Sequence, residues 1–181
     1  MRKIVALLTI VAVVMLYVFA FAQDAKTFKY VGVKKCKMCH KGAKKGQIYE
    51  TWLKTEHAKA FETLGTPEAK KVAEKKGIKG SPQEAPECLV CHVTGYKKAG
   101  AATLTKEEGV SCEACHGPGS KYKSMKVMKG VRAGKMKGAD YGMVLPNEKN
   151  CVMCHNPKSP TYKEFKFAVM KKKIEHHIPK K

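Results

Sequence analysis

Hydrophobic and polar positions divide the chain into one long apolar stretch and a lysine-rich remainder. Residues Ile4 to Phe21 are apolar apart from Thr9. Arg2 and Lys3 precede the stretch, Ala20-Phe21-Ala22 closes it in a small-x-small pattern, and the chain turns polar at Gln23. Charged start, apolar run and small-residue site predict a secretory signal peptide over 1–22, leaving 23–181 as one domain. The run is also about long enough to span a bilayer, so an uncleaved anchor is the competing reading. On both readings, residues from Gln23 onward lie outside the cytoplasm, in the periplasm or the extracellular medium.

Beyond the leader the periodicity is helical. Leu53, His57, Ala60, Phe61 and Leu64 recur on one face, which predicts a helix from Gln47 to Leu64. Thr66 followed by Pro67 reads as an N-cap and first turn, and Gly77 as the stop of a second, shorter helix. Gly117-Pro118-Gly119 marks a turn. Residues 117–150 are rich in glycine and are expected to be mostly loop. A last helix is expected from Tyr162 to His177. No run alternates as a strand does, so the fold class is mainly α with extensive coil.

Composition sharpens this picture. The chain has 181 residues and a formal charge of +21, almost all of it lysine. Large aliphatics are scarce after the leader, and a domain of this size buries only about two-thirds of its surface. Some other source of apolar volume, a metal or cofactor, is expected. Nucleic acid is the reflex partner for so basic a chain. Export argues against it, as does the near-absence of arginine, the residue preferred for reading bases. A positive surface also steers acidic partners and anions.

All eight cysteines fall in four Cys-x-x-Cys pairs, and histidine follows each pair at once. The motifs are Cys36-Lys37-Met38-Cys39-His40, Cys88-Leu89-Val90-Cys91-His92, Cys112-Glu113-Ala114-Cys115-His116 and Cys151-Val152-Met153-Cys154-His155. This is the attachment signature of c-type haem. Two thiols form thioethers with one edge of the porphyrin, which brings the next residue beneath the iron as its proximal ligand. The eight cysteines are therefore expected to hold four haem c groups, with His40, His92, His116 and His155 as proximal ligands. The fold would wrap around these four covalently bound haems, and the lysines would offset their propionates.

Three other chemistries compete. Cys88–Cys91 and Cys112–Cys115 have a zinc-ribbon spacing, with twenty residues between the pairs. Disulfides suit an exported chain. Thioredoxin-like redox pairs share the Cys-x-x-Cys pattern but belong at the start of a helix in a βαβ unit. None of the three explains a histidine after every pair. The pairs are unevenly spaced, with 47, 19 and 34 residues between successive motifs. The second and third haems are thus expected to be close, and no regular repeat is visible.

Three histidines remain for the distal faces: His57, His176 and His177. His57 lies on the apolar stripe of its predicted helix, where an ordinary histidine is a satisfied core residue; here it is a candidate sixth ligand. His176 and His177 end the last predicted helix, where their ordinary role is a contact with the helix dipole. His176 is favoured for at least one iron. Three histidines cannot serve four irons. One iron must be five-coordinate, take methionine, or borrow a ligand from another subunit. Met125 and Met128 are the methionine candidates, against their common use as core and loop fillers.

Several stretches resemble the tetrahaem cytochrome c-554 family of the bacterial periplasm. They are Tyr30-Val31-Gly32 leading into the first motif, Tyr49-Glu50-Thr51-Trp52, Glu56-His57-Ala58-Lys59-Ala60, the segment from Gly109 to Gly119, and Phe165-Lys166-Phe167. The resemblance implies a mainly helical fold with haems in closely spaced pairs, shuttling electrons between redox proteins. It implies a high-spin haem with an open face at His92. It implies His57 as distal ligand of the fourth haem and His176 or His177 of the third. The family places a distal histidine in the loop after the Gly-Pro-Gly turn, where this chain reads Met125-Lys126-Val127-Met128.

Two functions follow from these readings. One is an electron carrier without catalytic residues, docking acidic redox partners through its lysines; no serine–histidine–acid or paired-carboxylate constellation stands out. The other is a small reductase or oxidase of nitric oxide or of a nitrogen or sulfur oxyanion at an open iron. An oligomer in which His176 or His177 ligates a neighbour's haem is a further expectation. So is contact of Lys171-Lys172-Lys173 and Lys180-Lys181 with an anionic membrane surface.

Overall fold

The computed structural model describes residues 28–98, 100–101 and 103–177. The leader expected over 1–22 and the lysines at 180 and 181 lie outside these residues. Among the described residues there are helices, turns and coil and no strand, as the hydrophobic pattern implies. The described residues form short α-helices in the order α1 Val33–His40, α2 Ile48–Leu53, α3 Ala60–Thr63, α4 Pro67–Lys75, α5 Pro86–His92, α6 Cys112–His116, α7 Met125–Arg132, α8 Glu148–Cys151 and α9 Phe167–Lys172.

The expected helix from Gln47 to Leu64 is interrupted. α2 stops at Leu53, where the Thr55 hydroxyl donates to the Trp52 carbonyl at 2.7 Å. Turns then carry the chain to α3. The carbonyl of His57 accepts the amide of Val110 at 3.0 Å, a long-range bond that competes with regular helical pairing there. Leu53, placed on the apolar stripe by periodicity, is instead exposed.

α4 forms as its sequence dictates. The Thr66 side chain accepts the Ala69 amide at 3.2 Å, Pro67 occupies the first turn, and Gly77 follows the helix at φ +69°. The stretch 117–150, expected as loop, contains α7. Ser124 caps it by accepting the Val127 amide at 3.3 Å, and the helix buries Val127. Gly130 obscured this helix in the sequence, yet the glycine has a packing reason: the Met136 side chain lies where its Cβ would be. The last helix is shorter than expected. α9 ends at Lys172, and His176 and His177 follow in coil.

The core is small. Leu64, Leu89 and Val93 form its centre, with Phe61, Cys88 and Tyr96 packed against it. Full burial of such a side chain contributes about 1.5–3 kcal/mol. That is little against roughly 1–2 kcal/mol of backbone entropy for every residue ordered. The shortage of apolar volume read from composition is thus present in the fold.

Polar cross-links replace part of that core. The Glu113 carboxylate, 2% exposed, accepts the Gly32 amide at 2.8 Å, the Val31 amide at 3.0 Å and the Gly119 amide at 2.5 Å. It ties the segment before α1 to the turn after α6. A second hub is the strap 109–111. Thr94 Oγ1 accepts the Ser111 amide at 2.7 Å, and the Trp52 indole donates to the Val110 carbonyl at 3.0 Å. The same strap holds the His57 carbonyl, so it joins α2, α6 and the turns around His57.

Candidate haem sites

Three of the four motifs are helical, and their histidines terminate the helices. α1 ends at His40, α5 at His92 and α6 at His116. In the fourth motif α8 ends at Cys151, and a turn carries Val152 to His155. In the three helical motifs the geometry sets the two thiols three residues apart on one face, with the histidine one residue further on. No two of the eight cysteines form a disulfide.

Two pairs of imidazoles face one another. His57 and His155 have ring centroids 5.9 Å apart and planes inclined at 65°. His116 and His176 stand at 5.9 Å and 64°. A metal-bound imidazole nitrogen lies about 2.0 Å from its metal, which sets two opposed imidazoles on one metal roughly 6 Å apart between centroids. The spacing therefore fits one metal between each pair. The donors come in opposed pairs: among the described residues no three His, Cys, Asp or Glu side chains converge on a point as structural zinc requires.

Burial depresses the pKa of His57, His155, His116 and His40 below the ordinary imidazole value. For His57 the neighbouring His155 adds to the effect, and for His116 the neighbouring His176 does. These rings are neutral at neutral pH, the state in which imidazole binds metal. His92 shows how one ring is held. Its Nδ1 lies 2.7 Å from the Ala60 carbonyl, which leaves Nε2 as the free donor. Phe165 stacks on His155 at 4.9 Å and 20°, fixing the plane of that ring.

Of the remaining candidates, His177 is exposed and His176 is half-buried against His116. His176 also lies near enough to His40 to depress its pKa. Met125 is exposed on α7, and Met128 is half-buried on the same helix.

The thiols give the relative placement of the four motifs. The neighbouring Cys112, and then burial, push the Cys36 thiol far up. Burial and then Cys91 push the Cys154 thiol up to about 12. Burial and then Cys151 raise Cys115. First and third motifs are therefore neighbours, third and fourth are neighbours, and fourth and second are neighbours. The motifs run in space in the order second, fourth, third, first. The second and third motifs are also flanked by residues that meet: Thr94, two residues after His92, accepts the amide of Ser111, which precedes Cys112.

Just after the second motif, residues including Val93, Tyr96, Lys97, Lys98 and Leu104 line a cavity of about 610 Å³. Sequence reasoning missed Phe165 as a ring partner, and it missed Glu113 and Thr94 as cross-links. A glutamate between two attachment cysteines gives no sign from spacing that three distant amides converge on it.

The chain is similar to known proteins over much of its length. The family model for cytochrome c554 and c-prime matches residues 35–117. Cytochrome c-554 of Nitrosomonas europaea is 33% identical over 145 residues, covering 70% of this chain and 57% of the relative. This chain thus spans little more than half the length of that relative. The solved structure of cytochrome c554 from Nitrosomonas europaea in its reduced state shares 28% identity at a TM-score of 0.55. That match covers 81% of this chain and 78% of the other.

Proposed function

The chain belongs to the family of cytochrome c554 and c-prime, and on that premise we propose that it is an exported tetrahaem cytochrome relaying electrons between redox proteins. Residues 1–22 are its export signal and 23–181 its single domain. Cys36, Cys39, Cys88, Cys91, Cys112, Cys115, Cys151 and Cys154 hold four haem c groups. His40, His92, His116 and His155 are the proximal ligands. His57 is the sixth ligand at the fourth site and His176 at the third. The groups, when bound, supply reversible one-electron chemistry at iron.

The observation that carries this reading is the pair of opposed histidines at 5.9 Å, each joining a motif histidine to one outside the motifs. The chain's own part is to present neutral imidazoles, fix their planes and keep water away. Burial does the first, and the Ala60 carbonyl and Phe165 ring do the second at two of the sites. The order of the motifs makes the four sites a single file with the first and second at its ends. Intact-mass spectrometry of the exported protein tests the assignment. The mature mass should exceed that of 23–181 by four haem groups. Fewer groups, or thiols that react with alkylating agents, would overturn it.

One observation favours a second reading at one site. His92 is held through Nδ1, and the neighbouring cavity is lined by Lys97, Lys98 and Lys106. A positive cavity beside an iron without a sixth protein ligand would admit an oxyanion or nitric oxide. EPR of the oxidised protein with and without nitric oxide separates the two. A high-spin signal abolished by the ligand means an accessible iron; a spectrum that ignores the ligand means a carrier alone.

A further inference from the structure

The four motifs differ in the surface they offer. In the third, Glu113 faces inward and is 2% exposed. In the others the second residue between the cysteines faces solvent: Met38 is 77% exposed, Val90 59% and Met153 57%. The first and second motifs are the ends of the file, so Met38 and Val90 mark the places where a partner comes closest to an end.

The two ends differ in local charge. Residues 28–49 hold seven lysines and no aspartate or glutamate. The acidic residue that follows, Glu50, turns its Oε1 to the Gly42 amide at 3.0 Å rather than to the lysines. Lys34, Lys35, Lys41, Lys44 and Lys45 are exposed. Lys37 lies over the Tyr49 ring at 4.8 Å, which holds one cation beside Met38. Residues 80–96, around the second motif, hold Glu84 and Glu87, both exposed, and Lys97 and Lys98 follow at once.

We propose that the face around Met38 is the docking surface for an acidic redox protein, with the lysines of 34–45 steering the encounter. The inference rests on the carrier reading above and names the end at which that partner binds. A small apolar contact ringed by charges of one sign suits a transient encounter: the ring sets the rate of approach and the register, and the centre excludes water. Single-point lysine charges on a flexible stem tolerate the loose geometry of such complexes. The second end mixes Glu84 and Glu87 with Lys97 and Lys98, so only the first end presents charge of one sign.

The test uses the holoprotein and oxidised flavodoxin, a small acidic one-electron protein, as probe. One variant carries K34E, K35E and K41E. The other carries K70E, K71E and K75E on α4, which changes net charge equally on exposed positions far along the chain. Calorimetric titration at low ionic strength should show about tenfold weaker binding for the first variant and less than about threefold for the second. Carbodiimide cross-links between wild-type protein and flavodoxin should map to lysines of 34–45. Equal losses in both variants, cross-links elsewhere, or lysines of 34–45 that bind phosphatidylglycerol vesicles but not flavodoxin would each overturn the proposal. Reversible reduction by dithionite separates the readings: its failure in the wild type sinks the carrier itself. Normal reduction with charge-independent flavodoxin binding sinks only the docking face.

Discussion

The imidazole of His57 stands edge-on to that of His155, centroids 5.9 Å apart, although the two residues come from opposite ends of the domain. Neither is positioned by its own helix. His57 sits in the turns between α2 and α3, held by the bond from Val110 to its carbonyl. His155 sits in the turn after α8, held by the stack with Phe165. The site is made by tertiary hydrogen bonds and ring packing.

The opposed pairs predict which substitutions change spin state. His57→Ala should convert one low-spin haem to high-spin, and His176→Ala should convert another. His177→Ala should leave the spectrum unchanged, because His177 is exposed and His176 is the ring that faces His116. Ferric EPR of the three variants reads this directly. A change with His177→Ala and none with His176→Ala would reverse the assignment of the third site.

The carboxylate of Glu113 predicts a stability effect of unusual size for a residue between two attachment cysteines. Removing it leaves the amides of Val31, Gly32 and Gly119 without their acceptor in a buried place. Hydrogen bonds to a charged group contribute about 1.5–3 kcal/mol each, and each buried amide left without an acceptor costs about 1–3 kcal/mol. Glu113→Ala should therefore destabilise the holoprotein by about 3–5 kcal/mol in urea titrations. Ala114→Gly, in the same motif, should cost about 1 kcal/mol or less.

Much of the chemistry was legible because it depends on local spacing. The Cys-x-x-Cys-His pattern names ligands and thioethers without any fold, and the cap at Thr66 is a local hydrogen bond. The helix expected through His57 failed for the opposite reason. The apolar periodicity from Leu53 to Leu64 is present, but the strap 109–111 takes the His57 carbonyl, and no local rule foretells that. The order of the motifs was hidden too, since it follows from contacts between cysteines far apart in sequence, such as Cys91 with Cys154 and Cys36 with Cys112.

Tyr122 predicts the alkaline limit of stability. Its hydroxyl is buried and donates to the Gly117 carbonyl at 2.7 Å. Burial, and then its neighbours Cys36, Glu113, Cys112 and Tyr30, push the phenol well above its ordinary value of 10.0. A group whose folded pKa is raised favours the native state fully below its unfolded pKa. That contribution is lost as pH climbs from about 10 toward the folded value. Wild-type stability should thus fall above pH 10. Tyr122→Phe should lose about 0.5–1.5 kcal/mol at neutral pH with the hydrogen bond, and its alkaline decline should be shallower. Parallel declines in the two proteins would assign the alkaline limit to another group.

Gly109 couples the strap to the ligand, and its substitution tests whether backbone geometry holds His57 in place. The residue has φ +59° and ψ −140°, a region essentially confined to glycine that costs another residue about 1–3 kcal/mol. A Cβ there would lie 2.8 Å from the His57 carbonyl oxygen and 3.1 Å from that of Ala58. Both contacts are with backbone, which cannot swing aside as a side chain can. Gly109→Ala should therefore push the His57 segment away from the strap and weaken the bond from Val110. Two readouts are expected to move together: stability falls by more than about 1 kcal/mol, and the fourth site gains high-spin character, as in His57→Ala. Gly80→Ala is the control, with φ +88° and no atom within 4 Å of its Cβ. It should carry the backbone cost alone and leave the spin state unchanged. A Gly109→Ala protein that is destabilised but fully low-spin would mean that the ring packing around His155, rather than the strap, keeps His57 in position.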